Sequence, residues 1–189
     1  MDLGLLLLRV VVGTIMALHG AQKAFGAFGG PGMQGTERWL GSMGFRPARL
    51  HASVIAAAEL VGGAFLVLGF FTPLAAAAII GVMIVAIATV HWENGLFNTS
   101  GGYEFNLVLM TAAGALAFTG AGAISFDNAF GLGLQGAAWG LLAYALAAVG
   151  AVVTMTLGRQ VSTEPAADEG LAEGDRVIDL SEERTRVDA

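Results

Sequence analysis

The chain has 189 residues, of which 56% are hydrophobic and 13% are charged. An ordinary soluble domain has about 25% charged residues, so this composition excludes a soluble enzyme and leaves no room for a separate soluble catalytic domain. The net charge of −6 arises after residue 160, where nine acidic side chains outnumber three basic ones, and no basic cluster of the kind that binds nucleic acid is present. Cysteine is absent, which excludes disulfides, iron–sulfur ligation and thiolate catalysis by this chain's own residues.

Five apolar segments are long enough for membrane-spanning helices, which need about 20 mostly apolar residues. They cover residues 3–22, 52–71, 73–90, 103–121 and 137–157. The second and third are nearly contiguous, which predicts a tight helical hairpin with Pro73 in the first turn of the next helix. The longer connection after the first segment predicts a short interfacial helix over residues 36–43. We expect Thr36 to cap that helix, and Trp39 and Phe45 to lie at the lipid headgroups.

The basic residues of the short loops predict the orientation in the membrane, because lysine and arginine favour the cytoplasmic side. Four of them lie between the first two segments and one follows the fifth: Lys23, Arg38, Arg46, Arg49 and Arg159. They predict a multi-pass protein of the plasma membrane with its N-terminus outside and its C-terminus in the cytoplasm. If the fifth segment does not span, the tail changes sides. Residues 159–189 are polar and acidic, which predicts a disordered cytoplasmic tail.

Two charged side chains lie well inside predicted spans, Arg9 in the first and Glu59 in the second. A charge at a helix centre costs roughly 2.5–3.5 kcal/mol on insertion scales, so Glu59 is expected to have a partner. The helix rise of 1.5 Å per residue leaves two hypotheses, a pair with Arg9 or a pair with His19 or Lys23 from the inner side. Either pair is consistent with a purely structural bridge or with a proton-handling carboxylate.

The three histidines and most of the remaining polar groups of the spans converge near the inner face. By the helix rise, this layer contains His19, Gln22, Lys23, His51, His91, Glu93, Glu104 and Asn106. Imidazoles on neighbouring helices are able to bind haem iron, but nothing in the spacing of His19 and His91 requires it, and haem is neither expected nor excluded. A metal site built from His51, His91, Glu93 and Glu104 is equally without a supporting signature, and none is predicted.

Several strings together resemble the DoxX family of bacterial integral membrane proteins. LLLRVVVGTIMALHGAQKAFG is similar to the family's first-helix signature, and the other strings follow in the same order: GGPGMQGT, GSMGF, HASVIAAAELVGGAFLVLGFFTPLAA, GYEFNLVLM and TGAGAISFDNAFG. The resemblance covers residues 3–131 and implies an all-α, up-and-down four-helix transmembrane bundle. A fifth, C-terminal transmembrane helix over residues 132–158 and the tail over residues 159–189 extend beyond it.

The resemblance also implies a function and a set of pattern positions. The family is related to DoxD, the small subunit of a thiosulfate:quinone oxidoreductase, and some members are linked to complexes that handle oxidative and thiol stress. The pattern positions of the family fall on Arg9, His19, Gly20, Gln22, Lys23, Gly26, Glu59, Gly62, Gly63, Gly69, Glu104 and Asp127.

The expected function is a membrane subunit of a quinone-linked oxidoreductase, with a quinone as its cofactor. Lys23 or His19 would donate a hydrogen bond to a quinone carbonyl, and Glu59 or Glu104 would exchange its proton. The catalytic candidates are therefore Glu59, His19 and Lys23. The candidates for cofactor binding are Arg9, His19, Gln22, Lys23, Glu59, His91 and Glu104.

Two other functions are compatible with the same sequence. One is a non-enzymatic membrane anchor that recruits a soluble redox protein through the cytoplasmic loop or the acidic tail. The other is a small transporter or lipid-binding bundle, because charges within the membrane also mark permeation paths. The lipid bilayer is a partner in every case, a homo-oligomer is compatible with each, and whether the chain turns over a substrate is left open.

Overall fold

The computed structural model describes residues 2–159, and the predicted acidic tail lies outside them apart from Arg159. This part of the chain is helical and contains no β-strand, only an isolated bridge between Phe45 and Arg159. The α-helices are α1 (Asp2–Phe25), α2 (Gly32–Ser42), α3 (Ala48–Leu68), α4 (Thr72–Ala86), α5 (Glu104–Thr119), α6 (Phe126–Ala129) and α7 (Ala137–Gly158). Single 3₁₀ turns cover Ala27–Gly29, Trp92–Asn94 and Asn98–Ser100, and a π-helical turn covers Ile87–His91.

Four helices are long and apolar enough to cross a membrane, which confirms the prediction of a multi-pass, all-α membrane protein. They are α1, α3, α7 and the continuous segment Thr72–Asn94, which extends α4. The sequence predicts a further span over residues 103–121, but α5 has only 16 residues. At 1.5 Å per residue it is about 24 Å long, shorter than a hydrocarbon core of about 30 Å. The five-span arrangement and the outside N-terminus therefore stay predictions.

Contacts between connecting segments define two ends of the helical bundle. The loop end contains α2, the start of α3 and the end of α7, where the Arg46 N–H donates to the Gly158 carbonyl at 2.7 Å. The far end contains the start of α1, the turn between α3 and α4, and residues 120–136. There the Asp2 carboxylate accepts from the Ala123 N–H at 2.8 Å. The main packing partner of α1 is α3, and α4 packs against α3, α5 and α7.

Helices α1 and α3 approach so closely that only glycine fits at their contact. A Cβ added to Gly20 would overlap the backbone nitrogen of Leu60, and a Cβ added to Gly63 would overlap the backbone of Ala17 and Gly13. Small residues allow this backbone approach between membrane helices. The two helices therefore act as one rigid pair, which fixes the side chains they carry at the loop end.

The predicted interfacial helix is present as α2, although its details differ from the expectation. Thr36 does not cap the helix but lies inside it, buried, and its hydroxyl donates to the Gly32 carbonyl at 2.9 Å. Phe45, expected at the lipid headgroups, is completely buried, and its ring centroid lies 5.3 Å from that of His51. The antiparallel bridge to Arg159 holds Phe45 inward. Because this contact joins distant parts of the chain, the local sequence around Phe45 could not predict it.

Arg9 and Asp127 lie near each other in a buried polar cluster at the far end. Arg9 is 1% exposed, and its guanidinium donates to the carbonyls of Val67 and Ile124. The hypothesis of an Arg9–Glu59 pair is therefore wrong. The Asp127 carboxylate accepts from the backbone N–H groups of Phe71 and Thr72, at 2.7 and 2.9 Å. It thus caps the start of α4, whose first N–H groups have no helical partner.

We expect Asp127→Ala to destabilise the protein by about 1–3 kcal/mol, the cost of buried donors that lose their acceptor. Asp127→Asn retains one acceptor oxygen and should lose less. Chemical unfolding in detergent micelles measures both changes. Glu93→Gln, a substitution at an exposed position, is the control and should change the free energy of unfolding by no more than about 0.5 kcal/mol. Equal stability of Asp127→Ala and this control would contradict the capping role.

Candidate functional site

An ion pair between α1 and α3 lies at the centre of the candidate site. Lys23 Nζ is 2.6 Å from Glu59 Oε2, and the side chains are 20% and 4% exposed. Of the partners considered from the sequence, Lys23 is therefore the one that Glu59 takes. The close packing at Gly20 and Gly63 positions this pair, because Lys23 follows Gly20 by three residues and Glu59 precedes Gly63 by four.

The ion pair faces a partly open cavity of about 300 Å³ lined by residues of α1, α2, α3, α4 and α5. Its wall is mostly apolar, with Met16, Leu40, Met43, Ile55, Val82, Met83, Val85, Ala86, Val90, Phe105 and Leu109. Its polar groups are His19, Lys23, Trp39, Glu59, Thr89, His91, Asn98 and Asn106. An apolar pocket with a few convergent polar groups is the usual form of a small-molecule site, and sites of this kind measure about 300–1,000 Å³.

The structure brings four of the candidate residues together and leaves three apart. His19, Lys23, Glu59 and His91 line the cavity, whereas Gln22 is not among its lining residues. Arg9 lies in the far-end cluster. Glu104 accepts from the backbone N–H of Asn98 at 2.9 Å, which fixes its carboxylate to the loop before α5. The chemical roles of the four cavity residues stay predictions.

His19 and Lys23 lie on the same face of α1 because they are four residues apart, about one turn. Their side chains reach the cavity from one side. The π-helical turn Ile87–His91 supplies Thr89 and His91 from α4. Such turns are rare and occur frequently at functional sites. This turn therefore adds to the reasons for placing the site here.

The hydrogen bond of His91 determines its tautomer when the ring is neutral. His91 Nδ1 lies 2.7 Å from the carbonyl oxygen of Gly101. A carbonyl oxygen only accepts, so Nδ1 must carry the proton and Nε2 is left as an acceptor. The site thus combines a cationic donor, a carboxylate and an imidazole acceptor.

Asn106 and Trp39 line the cavity although neither was among the candidate site residues from the sequence. Asn106 is 8% exposed, and the only side-chain hydrogen bond found for its amide among residues 2–159 is to Met83 Sδ at 3.5 Å. Trp39, assigned from the sequence to the aromatic belt, lines the cavity while remaining 45% exposed. The signal for Asn106 is an amide within an apolar helix, where an unsatisfied polar group is costly. No comparable signal distinguishes Trp39 from an interfacial tryptophan.

The fold and the site define a helical membrane protein with a buried ion pair at the wall of an apolar cavity. The family model DoxX matches residues 4–92. A protein of Bacillus subtilis (strain 168), named "Putative oxidoreductase CatD", is 35% identical over 126 residues, 67% of this chain and 86% of that protein. The chain therefore belongs to the DoxX family, as its sequence strings predict. No solved structure matches it.

Proposed function

We propose that this chain is the membrane subunit of a quinone-linked oxidoreductase and that its cavity holds the quinone headgroup. The observation that carries the proposal is the Lys23–Glu59 pair in the wall of an otherwise apolar cavity of about 300 Å³. The name of the related Bacillus protein, "Putative oxidoreductase CatD", supports the same class of reaction. The role in oxidative or thiol stress expected from the family belongs to this proposal as well.

The donor set of the cavity fits a quinone. A quinone headgroup is a neutral ring with two carbonyl oxygens, and it supplies two-electron, two-proton redox chemistry when bound. The ammonium of Lys23 has three donors, of which one is directed to Glu59. The remaining donors, together with His19 and the amide of Asn106, are available to carbonyl oxygens. The ion pair has no net charge, so the site suits a neutral ligand better than an anion.

The chain's own residues divide into positioning and proton-handling groups. Lys23 orients the Glu59 carboxylate at 2.6 Å and donates a hydrogen bond to a ligand oxygen. Glu59 Oε1 and His91 Nε2 are the acceptors available to hold a proton. The methionine and aliphatic wall excludes water from the ring. Because the chain contains no cysteine, the electrons come from a partner or from a bound cofactor, and we place the partner at the loop end.

Native mass spectrometry of the protein extracted gently from its own membrane tests the proposal. The wild-type protein should retain a quinone mass, and Glu59→Gln and His19→Ala should each lower its retention at least tenfold. Glu93→Gln replaces an exposed carboxylate outside the cavity lining and should leave retention unchanged. A correctly folded wild-type protein that carries only ordinary lipids would refute the quinone site. Loss of a soluble enzyme on truncation of the tail would then favour the anchor function.

A further inference from the structure

A second cavity lies on the lipid-facing side of the bundle, between α3, α4 and α7. We call it the α7 groove. Its volume is about 290 Å³, and it shares with the first cavity only Ile55, Val82 and Val85, side chains of the wall between them. Its floor is made of small residues, among them Ala58, Gly81, Ala147 and Gly150. Its rim contains exposed apolar side chains such as Val54, Leu74 and Leu146.

The polar groups of the groove are confined to one end. His51 and Thr154 are its polar lining residues, and both lie at the loop end. The His51 ring packs so closely against Gly158 that a Cβ on that glycine would overlap it. From Leu146 to Thr154 the groove extends about 12 Å along α7. That is most of the depth of one leaflet, half of a hydrocarbon core of about 30 Å.

Basic residues belong to the chain segments that meet at this polar end. Arg46 and Arg159 are exposed, and their backbones are adjacent through the Arg46 N–H bond to Gly158 and the bridge at Phe45. Arg49 is exposed in the first turn of α3. The start of α3 has no side-chain cap, so its free N–H groups add partial positive charge. Basic pockets between membrane helices are the usual binding sites of anionic lipid headgroups.

We propose that the α7 groove binds one anionic phospholipid. One acyl chain lies on the small-residue floor, and the phosphate lies at the loop end near Arg159, beside His51. The groove is apolar along its length and polar only at the loop end, which matches the division of a phospholipid into chain and headgroup. The proposal is independent of the quinone site, because none of Lys23, Glu59, His19 and His91 lines this groove.

The test uses the full-length protein reconstituted in bilayers with equal amounts of phosphatidylglycerol and phosphatidylcholine, followed by native mass spectrometry of the lipid it retains. The wild-type protein should retain one tightly held lipid with a preference for phosphatidylglycerol. A basic side chain near an anionic surface contributes about 1 kcal/mol, or about fivefold in affinity. Arg159→Gln should therefore lower the preference about fivefold. Arg38→Gln, at an exposed position on α2, should leave it unchanged.

A second pair of variants tests the acyl-chain site without changing charge. A Cβ added to Gly150 meets nothing within 4 Å, so Gly150→Leu fills the groove without disturbing the fold. It should abolish retention of both lipids, whereas Gly4→Leu, at an equally open position, should not. Equal lipid retention in these two variants, or equal lipid preference in Arg159→Gln and Arg38→Gln, would overturn the proposal. The melting temperature in lipid-free micelles confirms that each variant is folded.

Discussion

Replacing Lys23 with Met is expected to destabilise the protein by about 3–5 kcal/mol, the cost of removing one partner from a buried ion pair. Glu59 has a 4% exposed side chain and Lys23 as its only ion-pair partner among residues 2–159. It would be left in an apolar cavity wall without its counter-charge. Chemical unfolding in mixed micelles measures the loss of stability.

The reverse substitution should cost less, and this asymmetry is the distinctive part of the prediction. In Glu59→Gln the remaining charge is on Lys23, whose side chain is 20% exposed and long enough to extend toward water. We expect a loss of about 1.5–3 kcal/mol, similar to that of one charged hydrogen bond. The double variant Lys23→Met/Glu59→Gln should be more stable than Lys23→Met alone, because no charge is left buried. Additive effects in this cycle would show that the two groups do not interact.

Gly63→Ala is expected to destabilise the protein by about 3 kcal/mol or more, beyond the usual range of 1–3 kcal/mol for overpacked cores. The added methyl group would overlap the backbone of both Ala17 and Gly13, and backbone cannot move aside as a flexible side chain can. Helices α1 and α3 must therefore separate, which would also pull Lys23 away from Glu59. Reduced stability and loss of the quinone that we propose for the cavity should occur together.

Gly62→Ala provides a matched control at the adjacent position. Its Cβ would lie 3.4 Å from Ala78 Cβ and 3.5 Å from the Ala75 carbonyl oxygen, which is ordinary contact distance. Alanine is about 1 kcal/mol better than glycine inside a helix, so this variant should be neutral or slightly more stable. The same unfolding measurement compares the two. Equal stability of the two alanine variants would contradict the close packing at Gly63.

The helices were largely predictable from the sequence, because a membrane-spanning helix must be a long apolar run whatever its neighbours are. The predictions that were wrong concern contacts between segments that are distant in the sequence. Helix rise placed Arg9 and Lys23 within reach of Glu59 but gave no information about helix rotation. Which of the two basic residues pairs with Glu59 depends on residues 120–130, because the Ile124 carbonyl accepts a hydrogen bond from the Arg9 guanidinium. The hydrophobic pattern of α1 and α3 gives no information about the position of that loop.

The candidate site was predicted in part for the same reason. His19, Lys23 and His91 could be grouped by depth, since each lies near the loop end of its helical segment, and the helix rise placed Glu59, in the middle of α3, within reach of Lys23. Depth in the membrane alone also placed Glu104 in this group, but its carboxylate accepts a hydrogen bond from the Asn98 N–H instead. The cavity itself could not be predicted, because its volume depends on where α2 lies across the ends of the other helices, bringing Trp39 to its wall.

The π-helical turn at Ile87–His91 limits how the length of this segment can change in evolution. Such a turn contains one residue more than the α-helical turn it replaces. Deleting a residue there would restore regular helix at about 100° per residue and change the direction of the side chains within the turn, His91 among them. Such a deletion would remove no named functional group, yet His91 would leave the cavity wall and lose its alignment with Gly101. Substitutions at Thr89 or Val90 keep that register, so this segment should tolerate changes of residue far better than changes of length.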